Sequence, residues 1–290
     1  MSTRITAIGR QFNRSSSGSY DRHSSVQRSM ADRLVQILKG WVDDSYTEGL
    51  NLLEIGCGTG ALTEILLKEW SSFVSITALD IAPEMIKVAE QRVLSSAVND
   101  SESYKSLSAR LQFLQADVEV WAIDAPSASF DFIVSNACFQ WLSNQVHTLG
   151  HLRRLLRPGG MLLFTTFGPH TFHELHKSFH EVYRASGLKP QRHGLSFQST
   201  DQWKEWLNEV GFSSIQYERE VRKETYPTVR DFLISVKGMG ASSSEAVALP
   251  GISTRRLFAN MYQEYEAKFG IQEGVIASYD LLIIQASAEG

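Results

Sequence analysis

Leu52-Leu53-Glu54-Ile55-Gly56-Cys57-Gly58-Thr59-Gly60 decides how the rest of the chain is read. An apolar run ends in a carboxylate and then passes through three alternating glycines. Glycine lets a backbone turn tightly and approach a ligand with no Cβ in the way. Ala61 to Trp70 follows with Leu62, Ile65 and Leu66 on one helical face. A strand, a glycine turn and a helix N-terminus together form a nucleotide-binding corner.

Two ligand classes suit such a corner. Gly56-x-Gly58-x-x-Ala61 fits the relaxed dinucleotide fingerprint, in which a pyrophosphate rests on the helix N-terminus. Glu54, two residues before the first glycine, would repel a pyrophosphate and would suit a ligand carrying an ammonium and a sulfonium. An acidic residue followed by Gly-x-Gly-x-Gly resembles the first motif of the class I methyltransferases. That resemblance implies S-adenosylmethionine as cofactor, with Glu54, Gly56, Cys57 and Gly58 beside it.

The later segments extend the pattern. Val74 to Asp80 reads as a second strand ending in an acid, about twenty residues past the glycines, where a carboxylate meets ribose hydroxyls. A dehydrogenase would carry the same acid, so Asp80 does not separate the two classes. Pro83 suits a first helical turn, and Met85 could lie against an adenine. Leu111 to Gln115 is a third strand leading to Asp117; in the resembled family an acid here accepts from the adenine amino group. Ile81, Val118 and Asn136 complete the expected cofactor site. Phe130 to Asn136 is the fourth strand. A helix then stops at Arg157-Pro158-Gly159-Gly160 before a strand from Met161 to Phe167, a junction common in class I methyltransferases and uncommon in dehydrogenases.

Composition is that of an ordinary globular protein: 290 residues, 43% hydrophobic and 21% charged. No apolar run approaches the length of a membrane helix, and Met1 to Gly9 lacks the apolar core of a secretory signal. Two cysteines, Cys57 and Cys138, suggest neither a disulfide framework nor a metal site. A cytoplasmic setting is expected, with no membrane partner. A net charge of −4 gives no global field for nucleic acid, and none is expected as a partner. His170, His173, His176 and His180 fall near one helical face without a His-Glu-x-x-His pattern and read as a polar face, so no metal is expected.

The expected architecture is α/β: a Rossmann-like class I methyltransferase with a seven-stranded, mostly parallel sheet, an antiparallel edge strand and helical lid insertions. Residues 1–45 read as an N-terminal cap segment, polar to about 24, with an amphipathic helix from Val26 to Trp41. Residues 46–290 read as the methyltransferase domain, with lid insertions at about 168–200 and 227–270. Ser95 to Ala109 reads as a flexible surface loop.

Four further stretches narrow the resemblance: Phe12 to Gln27 with Tyr20-Asp21; Ser135 to Trp141; Phe164 to Phe167; and Lys237-Gly238-Met239-Gly240-Ala241. Together they are similar to the malonyl-acyl-carrier-protein O-methyltransferases of biotin synthesis. The resemblance implies methylation of the free carboxylate of a malonyl thioester on acyl carrier protein, with S-adenosylhomocysteine as the other product. Tyr20 is the expected catalytic residue, orienting the carboxylate or the methyl group. Phe139, Gln140, Trp141, Phe167 and Lys237 are expected at the substrate. A carboxylate with a pKa near 4 is already ionised at neutral pH, so no general base is expected. The competing readings are an O-methyltransferase of a free small acid, a dinucleotide oxidoreductase, and a non-catalytic adenosylmethionine-binding regulator.

Overall fold

A computed structural model describes residues 3–16, 18–42, 49–70, 74–97, 107, 109–239 and 253–289. The chain divides into two compact units. One comprises Met1–Thr166, Ser199–Glu218 and Leu282–Gly290; the other comprises Phe167–Gln198 and Arg219–Leu281. The described residues of the N-terminal segment fall in the same unit as the glycine loop.

Three helices precede the sheet: α1 (Thr3–Ser15), α2 (Ser19–His23) and α3 (Ser25–Lys39). The expected amphipathic helix is α3, which buries Val26, Met30, Leu34 and Leu38. Trp41 lies beyond its end and is 46% exposed. Helix α1 falls in a segment read as merely polar. Its sequence does carry Ile5, Ile8 and Phe12, three and four residues apart, the spacing of one helical face.

The strands are β1 (Leu50–Ile55), β2 (Val74–Asp80), β3 (Leu111–Gln115), β4 (Phe130–Asn136), β5 (Leu156–Phe167), β6 (Ser213–Tyr226), β7 (Gly270–Ile271) and β8 (Gly274–Ala288). Their order is β3-β2-β1-β4-β5-β8-β6, with two-residue β7 pairing antiparallel to β8 as an eighth strand beyond the seven expected. β1 is parallel to both β2 and β4, and β4 is parallel to β5. This central position explains the near-continuous apolar run of β1, since a strand covered on both faces need not alternate. Strand order reverses between β1 and β4. The carboxyl ends of those two strands are therefore the switch point at which open α/β sheets bind ligands.

Between the strands lie α4 (Ala61–Glu69), α5 (Pro83–Ala97), α6 (Val118–Asp124) and α7 (Gln145–Leu155). Helix α5 runs into the Ser-rich stretch as far as Ala97; most of the remainder of that stretch lies outside the described residues. β5 begins at Leu156, five residues before the expected start. Its pairing with β4 shifts register between Phe130 and Phe132. A Cβ on Gly160 would sit 2.9 Å from the Arg157 carbonyl and 3.0 Å from that of Asp131, so only glycine fits the irregular segment.

The second unit contains α8 (His173–Ala185), α10 (Val229–Gly238) and α11 (Thr254–Phe269), while α9 (Thr200–Glu209) belongs to the first. Two buried carboxylates organise the second unit. Asp280 forms a two-point ion pair with Arg219 (2.7 and 3.0 Å), and Glu174 accepts from the Ser278 amide at 3.0 Å. Within the expected polar histidine face, His173 is exposed but His176 is half-buried, and burial pushes its ring down to about 4. Among the described residues no three metal-type side chains cluster, and no helix is long and apolar enough to cross a membrane.

Candidate functional site

Gly56, Gly58 and Gly60 all have positive φ (71°, 54° and 80°), a region that disfavours side chains. Space excludes them as well at two positions. A Cβ on Gly56 would lie 2.5 Å from Cys138 Sγ, and one on Gly60 would lie 2.8 Å from Ala89 Cβ. At Gly58 a Cβ would meet no atom within 4 Å. The loop is therefore pinned at its two ends and faces open space in the middle.

That space opens into a cavity at the switch point. Its walls come from Gly56 and Gly58; from Asp80, Ile81 and Met85; from Asp117 and Val118; and from Asn136, Ala137 and Cys138. Ile8 and Phe12 of α1, Tyr20 of α2 and Trp141 close the remaining side. A smaller cavity adjoins it, lined in part by Ser24, Gln27, Arg28, Glu54, Cys57 and Thr59. Tyr20, Gly56, Gly58 and Asn136 line both and so mark their junction.

The acids are held in distinct ways. Asp80 accepts from the amides of Gly58 and Ala82, each at 2.8 Å, which ties the glycine loop to the end of β2. Burial nevertheless holds its carboxyl above the usual range, against those amide bonds. Glu54 is 1% exposed and accepts from Thr63 Oγ1 at 2.6 Å. Burial pushes its pKa up to about 7, the Thr63 hydrogen bond opposing and the charge of Asp80 adding to the rise. Asp117 caps α6 by accepting from the Glu119 amide at 3.0 Å. Its other oxygen is buried and has no hydrogen-bond partner among the described residues. A buried acceptor left in that state is costly unless a ligand donor reaches it.

Neutral groups complete the walls. The side-chain amide of Asn136 donates to the Gln27 carbonyl at 2.9 Å, and its oxygen accepts from Thr165 Oγ1 at 2.7 Å. Burial, followed by the charge of Asp80, raises the Tyr20 phenol far above its ordinary value, so it stays protonated. Cys138 is likewise pushed up to about 12, chiefly by burial.

The N-terminal segment is fastened over this site. Asp21 accepts from Thr59 Oγ1 at 2.7 Å and pairs with Arg92 at 2.5 Å. Asn13 Oδ1 accepts from the Glu84 amide at 3.1 Å in the first turn of α5. Phe12 meets Trp141 edge-on at 5.4 Å and Tyr20 at 6.4 Å.

Most of the residues singled out from sequence converge here, although Glu54 and Cys57 face the smaller cavity rather than the larger. Among the expected substrate residues only Trp141 lines the larger cavity. Phe139 is fully buried, stacked on Phe164 at 4.4 Å, and belongs to the core. Gln140 donates to the Ala137 carbonyl at 2.6 Å and accepts from Thr166 at 3.2 Å, so it braces the turn rather than facing the cavity. The turn Phe139–Trp141 is a single 3-10 turn, in which three successive side chains point three ways. Phe167 and Lys237 belong to the second unit. Phe167 packs against Phe197 and Tyr279, while Lys237 is exposed in the last turn of α10. Gly240 and Ala241 lie outside the described residues. Ile8 and Phe12 were missed as lining residues, and their helical spacing was the available signal.

Comparison with known proteins gives the family and the fold. Residues 22–217 match the family described as methyltransferase domain. The malonyl-[acyl-carrier protein] O-methyltransferase of Paenibacillus sp. (strain JDR-2) is 55% identical over 281 residues, spanning 97% of this chain and 98% of that protein. Its counterpart from Brevibacillus brevis is 39% identical, spanning 92% and 91%. The fold resembles the YcgJ protein of Bacillus subtilis (TM-score 0.56, 16% identity, 89% of this chain and 98% of that one). It also resembles a Haemonchus contortus phosphoethanolamine N-methyltransferase 2 solved with S-adenosyl-L-methionine (TM-score 0.54, 19% identity, 89% and 53%). The chain belongs to the malonyl-[acyl-carrier protein] O-methyltransferase family, built on a methyltransferase domain.

Proposed function

We propose that this protein transfers a methyl group from S-adenosylmethionine to the free carboxylate of a malonyl group carried on acyl carrier protein, an early step of biotin synthesis. The observation that carries the cofactor assignment is the pair of adjoining cavities with a carboxylate in each arm and a neutral junction. In the larger, Asp80 suits a ribose diol and the partnerless oxygen of Asp117 suits an exocyclic amine. In the smaller, Glu54 suits an ammonium. In the larger cavity a pyrophosphate would meet Asp80 and Asp117 with no cationic side chain among the described lining residues, which disfavours the dinucleotide reading. Loss of either Glu54 or Asp80 should weaken cofactor binding about tenfold or more.

Bound S-adenosylmethionine supplies an electrophilic methyl group on a sulfonium. The acceptor is an anion at neutral pH, so the displacement moves no proton and needs no base. One C–O bond forms as one C–S bond breaks; the products are a neutral ester and a thioether. The protein contributes alignment and exclusion of water. Tyr20 stands at the junction of the cavities as a protonated donor, able to orient the incoming carboxylate. Phe12 and Trp141 provide an apolar wall beside it. The relatives' names favour the carrier-bound malonyl group over a free acid. Methyl transfer from labelled S-adenosylmethionine, compared across malonyl carrier protein, malonyl-coenzyme A and free dicarboxylic acids, tests this. Label on the carrier protein is expected; label on free acids alone would favour the small-acid reading.

A further inference from the structure

Glu119, in the first turn of α6, lies in the wall of the larger cavity, yet the cofactor assignment gives it no role. Its carboxylate reaches away from α6 to the segment that follows the 3-10 turn. Oε1 accepts from the Asn144 amide at 2.8 Å and from the Ser143 amide at 3.0 Å, and Oε2 accepts from the Ser143 amide at 3.0 Å. Thr148 Oγ1 donates to Oε1 at 3.4 Å. The two amides come directly after Trp141 and Leu142, both of which line the cavity. On the near side of Trp141, Gln140 is held by Ala137 and Thr166. Trp141 therefore stands on a short span fastened before and after, and Glu119 is the later fastening. A carboxylate accepting backbone amides makes charge-assisted bonds, roughly twice as strong as neutral ones.

We propose that Glu119 is a positioning residue: by holding the Ser143 and Asn144 amides it sets where Trp141 stands, and so where the malonyl carboxylate comes to rest beside Tyr20. The turn itself supplies little rigidity. Its own backbone bonds are Trp141 to the Cys138 carbonyl at 2.9 Å and Leu142 to the Phe139 carbonyl at 3.2 Å, and so short a 3-10 segment is a weak frame for an aromatic wall. Trp141 meets Phe12, which in turn meets Tyr20, so a shift of the turn would disturb the acceptor side of the cavity. The cofactor side is insulated from the same change. Asp117 accepts from the Glu119 main-chain amide, which any residue at that position supplies.

The inference rests on the carboxyl-methylation reading, and kinetics on a short malonyl thioester separates the two. Glu119→Gln keeps the shape and loses the charge. It should lower kcat/KM about tenfold and change the dissociation constant of S-adenosylhomocysteine less than about twofold. Asn144→Ala is the control. It removes the side-chain cap on the His147 amide (3.1 Å) and spares the bonds to Glu119, so it should lower the thermal midpoint while leaving kcat/KM within about twofold. With Trp141→Ala there is no wall left to place. Glu119→Gln added to that background should then lower kcat/KM by less than about a further twofold, although it still lowers the midpoint. A full tenfold loss in that background, or the same loss in Asn144→Ala, would overturn the positioning role and leave Glu119 to the fold. A wild-type protein that methylates no malonyl thioester would instead overturn the functional reading itself.

Discussion

At the scale of single residues, Glu54 sets affinity against stability. Its carboxyl has an ordinary value of 4.5 and is raised to about 7 by burial, so the folded protein binds a proton that the unfolded chain releases between those values. Stability from this group is therefore full below pH 4.5 and is lost as pH rises through about 7. The shift corresponds to about 3 kcal/mol at alkaline pH. Glu54→Gln should raise the thermal midpoint of the ligand-free protein at about pH 8 and leave it nearly unchanged at about pH 4.5, while weakening cofactor binding. Melting curves at the two pH values check the sign, and a midpoint lowered at alkaline pH would refute it. Tyr20 makes the opposite case, a residue whose contribution should appear only as the reaction proceeds. Tyr20→Phe should lower kcat about tenfold or more and change the dissociation constant of S-adenosylhomocysteine less than about twofold. A wild-type kcat would leave Tyr20 a packing role.

At the scale of elements, the N-terminal helices close the site through few polar links. The Asp21 bridge to Thr59 and Arg92 joins α2 to the glycine loop and to α5. Arg92→Ala should release that side of α2, raising the dissociation rate of S-adenosylhomocysteine several-fold with little change in thermal midpoint, because the pair is partly exposed and adds little stability. Stopped-flow displacement measures it; an unchanged rate would mean that the helix stays shut without the bridge. The elements also show what sequence can and cannot carry. β1, the glycine loop, β2 with Asp80 and β4 were legible because β1 and β4 carry apolar runs, β2 alternates Val74, Ser75, Ile76 and Thr77 before its acid, and positive-φ turns demand glycine. Helix α1 was not, because its three spaced apolar residues are interrupted by polar ones and its partners are remote in sequence. Phe139 and Trp141 looked alike as aromatics after a strand; only the geometry of the 3-10 turn sends one to the core and the other to the cavity.

At the scale of the whole molecule, a net charge of −4 means that the proposed docking of a carrier protein through an acidic face of that partner would rest on local cations. Lys237, exposed on α10 of the second unit, is our candidate. Arg184, by contrast, is paired with Glu181 at 2.7 Å, and Arg192 donates to the Leu195 carbonyl at 3.1 Å. Lys237→Glu should raise KM for malonyl carrier protein several-fold, steepen with falling ionic strength, and leave KM for a short malonyl thioester unchanged. Equal losses on both substrates would assign Lys237 to the fold.

The central claim is chemical: the methyl group goes to a carboxylate oxygen, with no base required. The chemical nature of the product tests it most directly. After reaction of malonyl carrier protein with methyl-labelled S-adenosylmethionine, the purified carrier protein is treated with mild alkali and the released label is collected. A carboxyl methyl ester releases its label as volatile methanol, and this is the expected result. Label that remains non-volatile after complete alkaline hydrolysis, whether in a released acid or on the carrier protein, would place the methyl on carbon or nitrogen and contradict the account.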